Sequence, residues 1–214
     1  MTQIRWITMA VLALAAGCAH YVTVECPPIV DLRGFGMVGL VKFEVLEGEP
    51  ALVDEATHRF QATVQRLQPG ARVLELGAKE AVLAKIGARE LDPAAMQAIG
   101  KAFGVGAVLT GNLAVRKPRP HVSVESFQLT SVSAAMKVDA SMQATLRETT
   151  GGATVWTNGA SGSWTLGGVG VSGGQVSGGM ADPKQKYAQI MTELVRITTD
   201  DFRPTWERRK VVDK

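Results

Sequence analysis

The chain has few of the residues that build disulfide-rich, metal-binding or nucleic-acid-binding proteins. Its 214 residues include two cysteines and three histidines, which excludes a disulfide-dense miniprotein and a zinc ribbon. Lys and Arg number 23 against 20 Asp and Glu, and this net charge of +3 gives no reason to expect nucleic acid as a partner. Hydrophobic residues make up 46% and aromatic residues 6%, a globular composition long enough for one domain with a core.

The beginning of the chain lacks acidic residues and lacks an apolar run long enough to span a bilayer. Arg5 is the one basic residue there, and apolar residues prevail from Trp6 to Ala16. A transmembrane helix needs ~20 apolar residues. A basic start, a short apolar core and small residues before a cleavage site therefore predict a signal peptide over residues 1–17.

The residues Ala15, Ala16, Gly17 and Cys18 resemble the bacterial lipobox. This resemblance implies that Cys18 is acylated and that the mature protein is held by membrane lipid. Ala19 rather than Asp follows the cysteine, which by analogy implies the outer membrane, with the protein facing the periplasm. The alternative is a plain secretory signal in which Cys18 lies beside the cleavage site by chance.

The composition divides the rest of the chain into three segments. Residues 18–30 are interpreted as a lipidated tether, residues 31–203 as a single domain and residues 204–214 as a basic tail. At about 3.3 Å per residue the tether spans at most ~40 Å, so the domain is expected close to the membrane surface. Acylation of Cys18 leaves Cys26 without an intramolecular disulfide partner.

Hydrophobic periodicity predicts strands and helices in the order β-α-β-α-α-β-β-β-α. This mixture predicts an α+β fold in which helices pack on one mixed β-sheet. The predicted helices cover residues 50–67, 78–87, 93–103 and the segment between Asp182 and Pro204; the predicted strands cover residues 36–45, 73–76, 105–115, 132–146 and 156–166.

One strand is predicted to be unusually long. Apolar residues occupy the even positions from Val132 to Leu146, whereas strands usually have 5–6 residues. A turn at residues 149–152 and a returning strand with Trp156 and Trp164 on one face complete one long extended β-hairpin. Upstream, the apolar residues do not all keep to even positions. A bulge or turn near residues 126–130 is therefore needed for them to share the face of the 132–146 strand.

The glycine-rich segment 167–179 has no charge and predicts a mobile loop. This loop and the exposed face of the 132–146 strand are the candidate surface for a protein partner. Four residues represent that surface: Lys137, Asp139, Ser172 and Ser177.

Motifs for catalysis match only as letter patterns. The GxGxxG pattern at residues 34–39 precedes a strand, whereas a dinucleotide site needs a helix there. The GxSxG pattern at residues 170–174 has no histidine downstream, as a nucleophile elbow requires. The three histidines have no Cys, Asp or Glu at metal-ligand spacing, so no catalytic residue, metal or cofactor is expected, and the protein is expected not to be an enzyme.

Two segments carry a resemblance to a known family. Residues 95–115, AMQAIGKAFGVGAVLTGNLAV, resemble a signature of the CsgG-like lipoproteins, which include the curli secretion lipoprotein CsgG, the penicillin-binding protein activator LpoB and the N-terminal domain of TolB. Residues 142–156 resemble the strand–TG–strand hairpin of that family, with Gly151 or Gly152 as the turn glycine. The resemblance covers roughly residues 31–202; the matching positions of the first segment are Ile99, Gly100, Phe103, Gly104, Ala107, Leu109, Gly111 and Leu113.

The resemblance implies a periplasm-facing lipoprotein with an α/β sandwich and no cofactor. Channel subunits of the family form rings in which each copy gives two membrane-spanning hairpins to a shared barrel. Residues 122–146 can supply one such hairpin, but the short glycine-rich region after Trp164 is a poor second one. The activator role uses a long linker, which this sequence lacks.

The first hypothesis is therefore a non-enzymatic envelope lipoprotein that acts by protein–protein contacts in outer-membrane or periplasmic assembly or secretion, with an envelope protein or a second copy as partner. The alternative is an oligomeric CsgG-type secretion channel subunit. An enzyme or small-ligand binder is the third class, which a pocket with convergent polar groups would indicate.

Overall fold

Residues 20–124, 131–172, 175–180 and 182–211 are described by a computed structural model of the chain, and they divide into two units. The smaller unit pairs two distant segments, and residues 29–203 form the larger unit. Cys18 and the predicted signal peptide lie outside the described residues. So does the bulge or turn predicted near residues 126–130.

The smaller unit is an antiparallel ribbon of two strands, β1 (His20–Cys26) and β10 (Thr205–Val211). His20 lies opposite Val211 and Cys26 lies opposite Thr205. Strand pairing thus joins part of the segment interpreted as a tether to most of the segment interpreted as a basic tail.

In its described residues, the larger unit consists of one sheet of eight strands and four helices, with short 3₁₀ helices at Leu32–Phe35 and Asp200–Phe202. The helices are α1 (Pro50–Leu67), α2 (Lys79–Ile86), α3 (Pro93–Phe103) and α4 (Pro183–Thr198). The strands are β2 (Met37–Val41), β3 (Glu44–Glu47), β4 (Arg72–Gly77), β5 (Ala107–Val115), β6 (Arg119–Val124), β7 (Ser131–Glu148), β8 (Thr154–Ser172) and β9 (Gln175–Met180).

The sheet is mixed, as the sequence predicts. Its order is β4-β2-β5-β7-β8-β9, with β3 also beside β5 and β6 also beside β7. Strands β2, β3, β4 and β5 pair in parallel, because helices connect β3 to β4 and β4 to β5. Strands β5 to β9 pair antiparallel. The α+β class is therefore confirmed, and so is the long hairpin, which β7 and β8 form with 18 and 19 residues.

Helices cover both faces of the sheet. Helices α1 and α4 pack on the face that holds Val138, Met142 and Leu146 of β7, where Phe60 and Phe202 are fully buried. Helices α2 and α3 pack on the other face, around Val108 and Val41. The alternation of β7 thus places its even-numbered residues from Val138 to Leu146 in the main core.

The helix ends follow local sequence signals. The side chain of Asp92 accepts a hydrogen bond from the N–H of Ala95 at 2.7 Å, and Pro93 opens α3. Gly104 ends α3 in the left-handed conformation, with φ of 67°. At the hairpin turn Gly152 has φ of 75°, which decides between the two turn glycines that the sequence left open.

The prediction of a mobile loop over residues 167–179 is wrong in its described part. Residues 167–172 belong to β8, and 175–180 form β9, which pairs with β8. Valines alternate with small residues there, and β7 supplies hydrogen bonds along the whole of β8. These non-local pairings outweigh the low intrinsic strand preference of glycine.

Candidate protein-contact surface

Part of the sheet forms a four-stranded extension in the order β6-β7-β8-β9. We define the extension as β6, residues 131–137 of β7, residues 167–172 of β8, and β9. It consists of two neighbouring hairpins, β6–β7 and β8–β9. The second hairpin lies in the region after Trp164, and the described part of β9 has six residues. That this region is a poor membrane-spanning hairpin stays a prediction, since such a strand needs ~9–11 residues.

The register gives the extension one apolar face. Residues directly opposite in an antiparallel pair lie on the same face of the sheet. Ala134 lies opposite Val122 of β6 and Val169 of β8, and its neighbours two positions away continue the same face. The positions on this apolar face whose side chains are described are Pro120, Val122, Ala134, Met136, Gly167, Val169 and Gly178.

The apolar face extends the buried side of the sheet but lacks a helical cover at its outer positions. Val122 is 63% exposed and Val169 is 50% exposed, whereas Val138, further along β7 on the same face, is fully buried. Met136 lies between them and packs partly against the main core. An uncovered face of this kind is typical of an interaction site.

The opposite face is polar: it carries serines, together with Arg119 and His121 of β6 and Lys137 of β7. Ser123 and Ser133 lie opposite each other, and their hydroxyl oxygens are 2.7 Å apart in a hydrogen bond across the two strands. Three of the residues named from the sequence, Lys137, Asp139 and Ser177, occupy this polar face or its continuation along β7. The side chain of the fourth, Ser172, lies outside the described part of the structure. Lys137 and Asp139 are half-buried, and Ser177 is exposed.

Asp139 is the electrostatic centre of the inner end of the polar face. A hydrogen bond from the Ser163 hydroxyl and a second from Arg119 hold the pKa of the Asp139 carboxyl below its ordinary value. Arg119 also forms an ion pair with Asp139. These groups favour the carboxylate, so Asp139 is charged at neutral pH and fixes β6 against β7.

A groove of about 830 Å³ lies at the connection between β5 and β6. Its lining includes the cations Arg116, Lys117 and Arg119 and the carboxylates Glu47 and Glu49. Arg116 pairs with Glu47 at 3.3 Å between Nε and Oε2. Because charges of both signs face the groove, its chemistry selects no single class of ligand.

The apolar face was not identified from the sequence, which pointed only to the polar side. The signal was present in the valines at positions 122 and 169 and in the small residues beside them. Glycine at every second or third position hid the strand pattern of residues 167–179. Only the pairing shows that these valines share one face.

The described residues give two further facts about the kind of site. Among them no three His, Cys, Asp or Glu side chains gather as metal ligands would. No helix in the described ranges is both long and apolar enough to cross a membrane.

By its architecture, the protein is an α+β sandwich with an amphipathic four-stranded extension. No protein-family model matches the chain, and no curated protein matches it. Solved structures do match, and they include bacterial lipoproteins.

Three of these solved structures show how far the likeness extends. A PelC dodecamer from Paraburkholderia phytofirmans is 14% identical with a TM-score of 0.46, over 86% of this chain and 98% of that one. Lipoprotein GNA1162 from Neisseria meningitidis is 16% identical with a TM-score of 0.37, over 60% and 83%. The LpoB C-terminal domain from Salmonella enterica is 10% identical with a TM-score of 0.34, over 72% and 90%. The likeness is low in each case, so the function has to be inferred from this chain's own residues.

Proposed function

We propose that the protein is a non-enzymatic bacterial envelope lipoprotein of the CsgG-like type. Acylated Cys18 anchors it in the outer membrane, facing the periplasm, and it acts through protein–protein contacts in envelope assembly or secretion. The extension is the contact surface. The observation that carries this proposal is the apolar face, on which Val122 and Val169 are at least half exposed outside the helical cover.

The two faces of the extension assign different roles to its residues. Burying the apolar face against a partner removes aliphatic surface from water, which supplies the free energy of association. The polar face, with Lys137, Asp139 and Ser177, stays at the rim or in solvent and contributes orientation.

The lipid anchor is tested by changing Cys18 alone. We expect radiolabelled palmitate to be incorporated into the natural chain and not into Cys18→Ala, which stays unprocessed. Cys26→Ala is the matched control and keeps the label. Label in the Cys18→Ala variant would refute anchoring at this residue.

The contact surface is tested by placing a charge on the apolar face. Val169→Asp puts a carboxylate where burial would remove its water, which costs several kcal/mol unless it is paired. We expect the complex extracted from membranes in mild detergent to fall to the mass of the single chain. Val155→Asp is the control, because Val155 lies on the same strand and is 46% exposed. Equal behaviour of the two variants would count against the extension as the contact surface.

A CsgG-type channel subunit is the second candidate, and the two adjacent hairpins favour it. A membrane-spanning strand needs ~9–11 residues. The described parts of β6 and β9 have six residues each. The first candidate is preferred because it requires no membrane-spanning strand.

Light scattering separates the two candidates. Residues 19–214 would be measured without detergent at several concentrations. A contact lipoprotein is expected to remain in solution as a small species. A large ring, or a chain that dissolves only in detergent, would favour the channel instead.

A further inference from the structure

The ribbon of β1 and β10 exposes nearly all of its side chains. It has seven residue pairs, and no third strand joins it among the described residues. A two-stranded ribbon by itself is marginally stable in water. Tyr21 is 56% exposed and Trp206 is 63% exposed, although aromatic side chains of this size are usually covered.

The register separates the side chains of the ribbon into two different faces. Tyr21 lies opposite Lys210, and Thr23 lies opposite Arg208. Trp206 lies opposite Glu25 at the other end of the same face. This aromatic-basic face therefore carries two aromatic rings about 13 Å apart along the ribbon, with two cations and one carboxylate between and beside them.

The second face of the ribbon has a different composition. It holds Val22 and Val24 on β1, with Arg209 and Glu207 on β10. Arg209 forms an ion pair with Glu207 at 3.4 Å between a terminal guanidinium nitrogen and Oε2. The charges of this face neutralise each other, whereas the aromatic-basic face has an excess of positive charge.

The position of the ribbon in the chain indicates what covers the aromatic-basic face. β1 begins at His20, two residues after Cys18. At about 3.3 Å per residue, an acyl chain on Cys18 places the start of β1 within ~7 Å of the anchoring point. That distance is within the headgroup layer of a bilayer.

We propose that the aromatic-basic face binds the headgroup layer of an anionic phospholipid membrane. Tyr21 and Trp206 lie at the depth where aromatic rings with a polar edge are favoured. Arg208 and Lys210 contact lipid phosphates, whereas Glu25 lies on the same face at the end away from Lys210 and leaves the face with a net positive charge. The ribbon is thus a second membrane contact beside the acyl group; this inference rests on the proposed lipoprotein function, because acylation brings the ribbon to the bilayer.

The test uses the mature chain, residues 18–214, with Cys18→Ser, so that no acyl group contributes. Vesicles of phosphatidylethanolamine and phosphatidylglycerol at a ratio of about three to one are compared with neutral phosphatidylcholine vesicles by sedimentation. Arg208→Gln is expected to lower binding to the anionic vesicles about fivefold. Arg209→Gln removes the same charge from the neighbouring residue on the other face and is expected to lower binding much less.

Several results would overturn the inference. One is an equal loss of binding to the anionic vesicles in the two arginine variants. Another is equal binding of the unchanged chain to both kinds of vesicle. A third is a fall in the protein's own oligomer mass with Trp206→Leu, which would assign the face to a second copy. Binding is repeated at high salt, where the difference between the arginine variants is expected to disappear. Palmitate labelling at Cys18 is scored separately. Labelling without vesicle binding refutes the ribbon contact only, and vesicle binding without labelling refutes the lipid anchor only.

Discussion

Gln68 shows how one side chain fixes the ends of several segments. It follows α1 and is 3% exposed. Its Oε1 accepts a hydrogen bond from the N–H of Leu32 at 2.8 Å, and its Nε2 donates to the carbonyl oxygens of Val30 and Phe202. Three buried backbone groups therefore depend on one amide, in a place where no strand or helix satisfies them.

We predict that Gln68→Leu lowers the free energy of unfolding by at least ~2 kcal/mol. Leucine keeps most of the volume but leaves three buried backbone groups without partners, and each such group costs ~1–3 kcal/mol. Urea denaturation measures the change. Gln65→Leu is the control, because Gln65 is exposed on the same helix and is expected to change stability by less than ~0.5 kcal/mol. A similar small effect for both variants would show that Gln68 does not hold these segments.

Asp139 makes the stability of the fold depend on pH. Its pKa is lowered from 3.8, so its stabilising contribution is present above that pH and is lost as the pH falls through the lower folded value. Ser163→Ala removes the main cause, and we expect the pKa of Asp139 to rise in a carboxyl NMR titration. Glu193, whose pKa is lowered by Arg196, should not change in the same experiment. An unchanged Asp139 pKa would contradict the role given to Ser163.

Among the elements, the β8–β9 hairpin depends most on glycine. Gly178 has φ of 136°, and a Cβ at this position would lie 2.2 Å from the carbonyl oxygen of Gly168 on the neighbouring strand. The close approach of the two backbones therefore excludes any side chain there. Gly179 next to it has open space and no positive φ.

We predict that Gly178→Ala separates β9 from β8. The strain of a positive φ and the contact with the Gly168 carbonyl should destabilise the pairing by more than ~1 kcal/mol. Hydrogen exchange of the β9 amides should become faster by about tenfold, with the main core unchanged. Gly179→Ala is the matched control and is expected to keep the slow exchange. If both variants exchange alike, the close backbone approach at Gly178 is wrong.

The same elements show what the sequence can and cannot predict. Helix α3 was predictable because its signals are local, from the cap Asp92 to the stop Gly104. The long β7 was predictable because strict alternation persists to Leu146. Strand β9 was not predictable, since it is stabilised by pairing with a strand whose own glycines hide the pattern.

Across the whole chain, the fold class follows from the order of elements, whereas the candidate contact surface does not. The polar residues Lys137 and Asp139 were identified from the alternation of β7, but the apolar face needs the register of four strands. The ribbon likewise joins residues 20–26 to residues 205–211, a pairing across almost the full length of the chain. Such distant pairings leave no local mark in a single sequence.

The apolar face of the extension is proposed to contact protein in the cell. Cross-linking in living bacteria tests this contact: one strain carries a photoreactive phenylalanine analogue in place of Val169, and a control strain carries the same group in place of Val155. We predict light-dependent cross-linked protein bands from position 169 and none of comparable strength from position 155. Cross-links of equal strength at both positions, or a chain that stays uncross-linked at position 169, would contradict the claim.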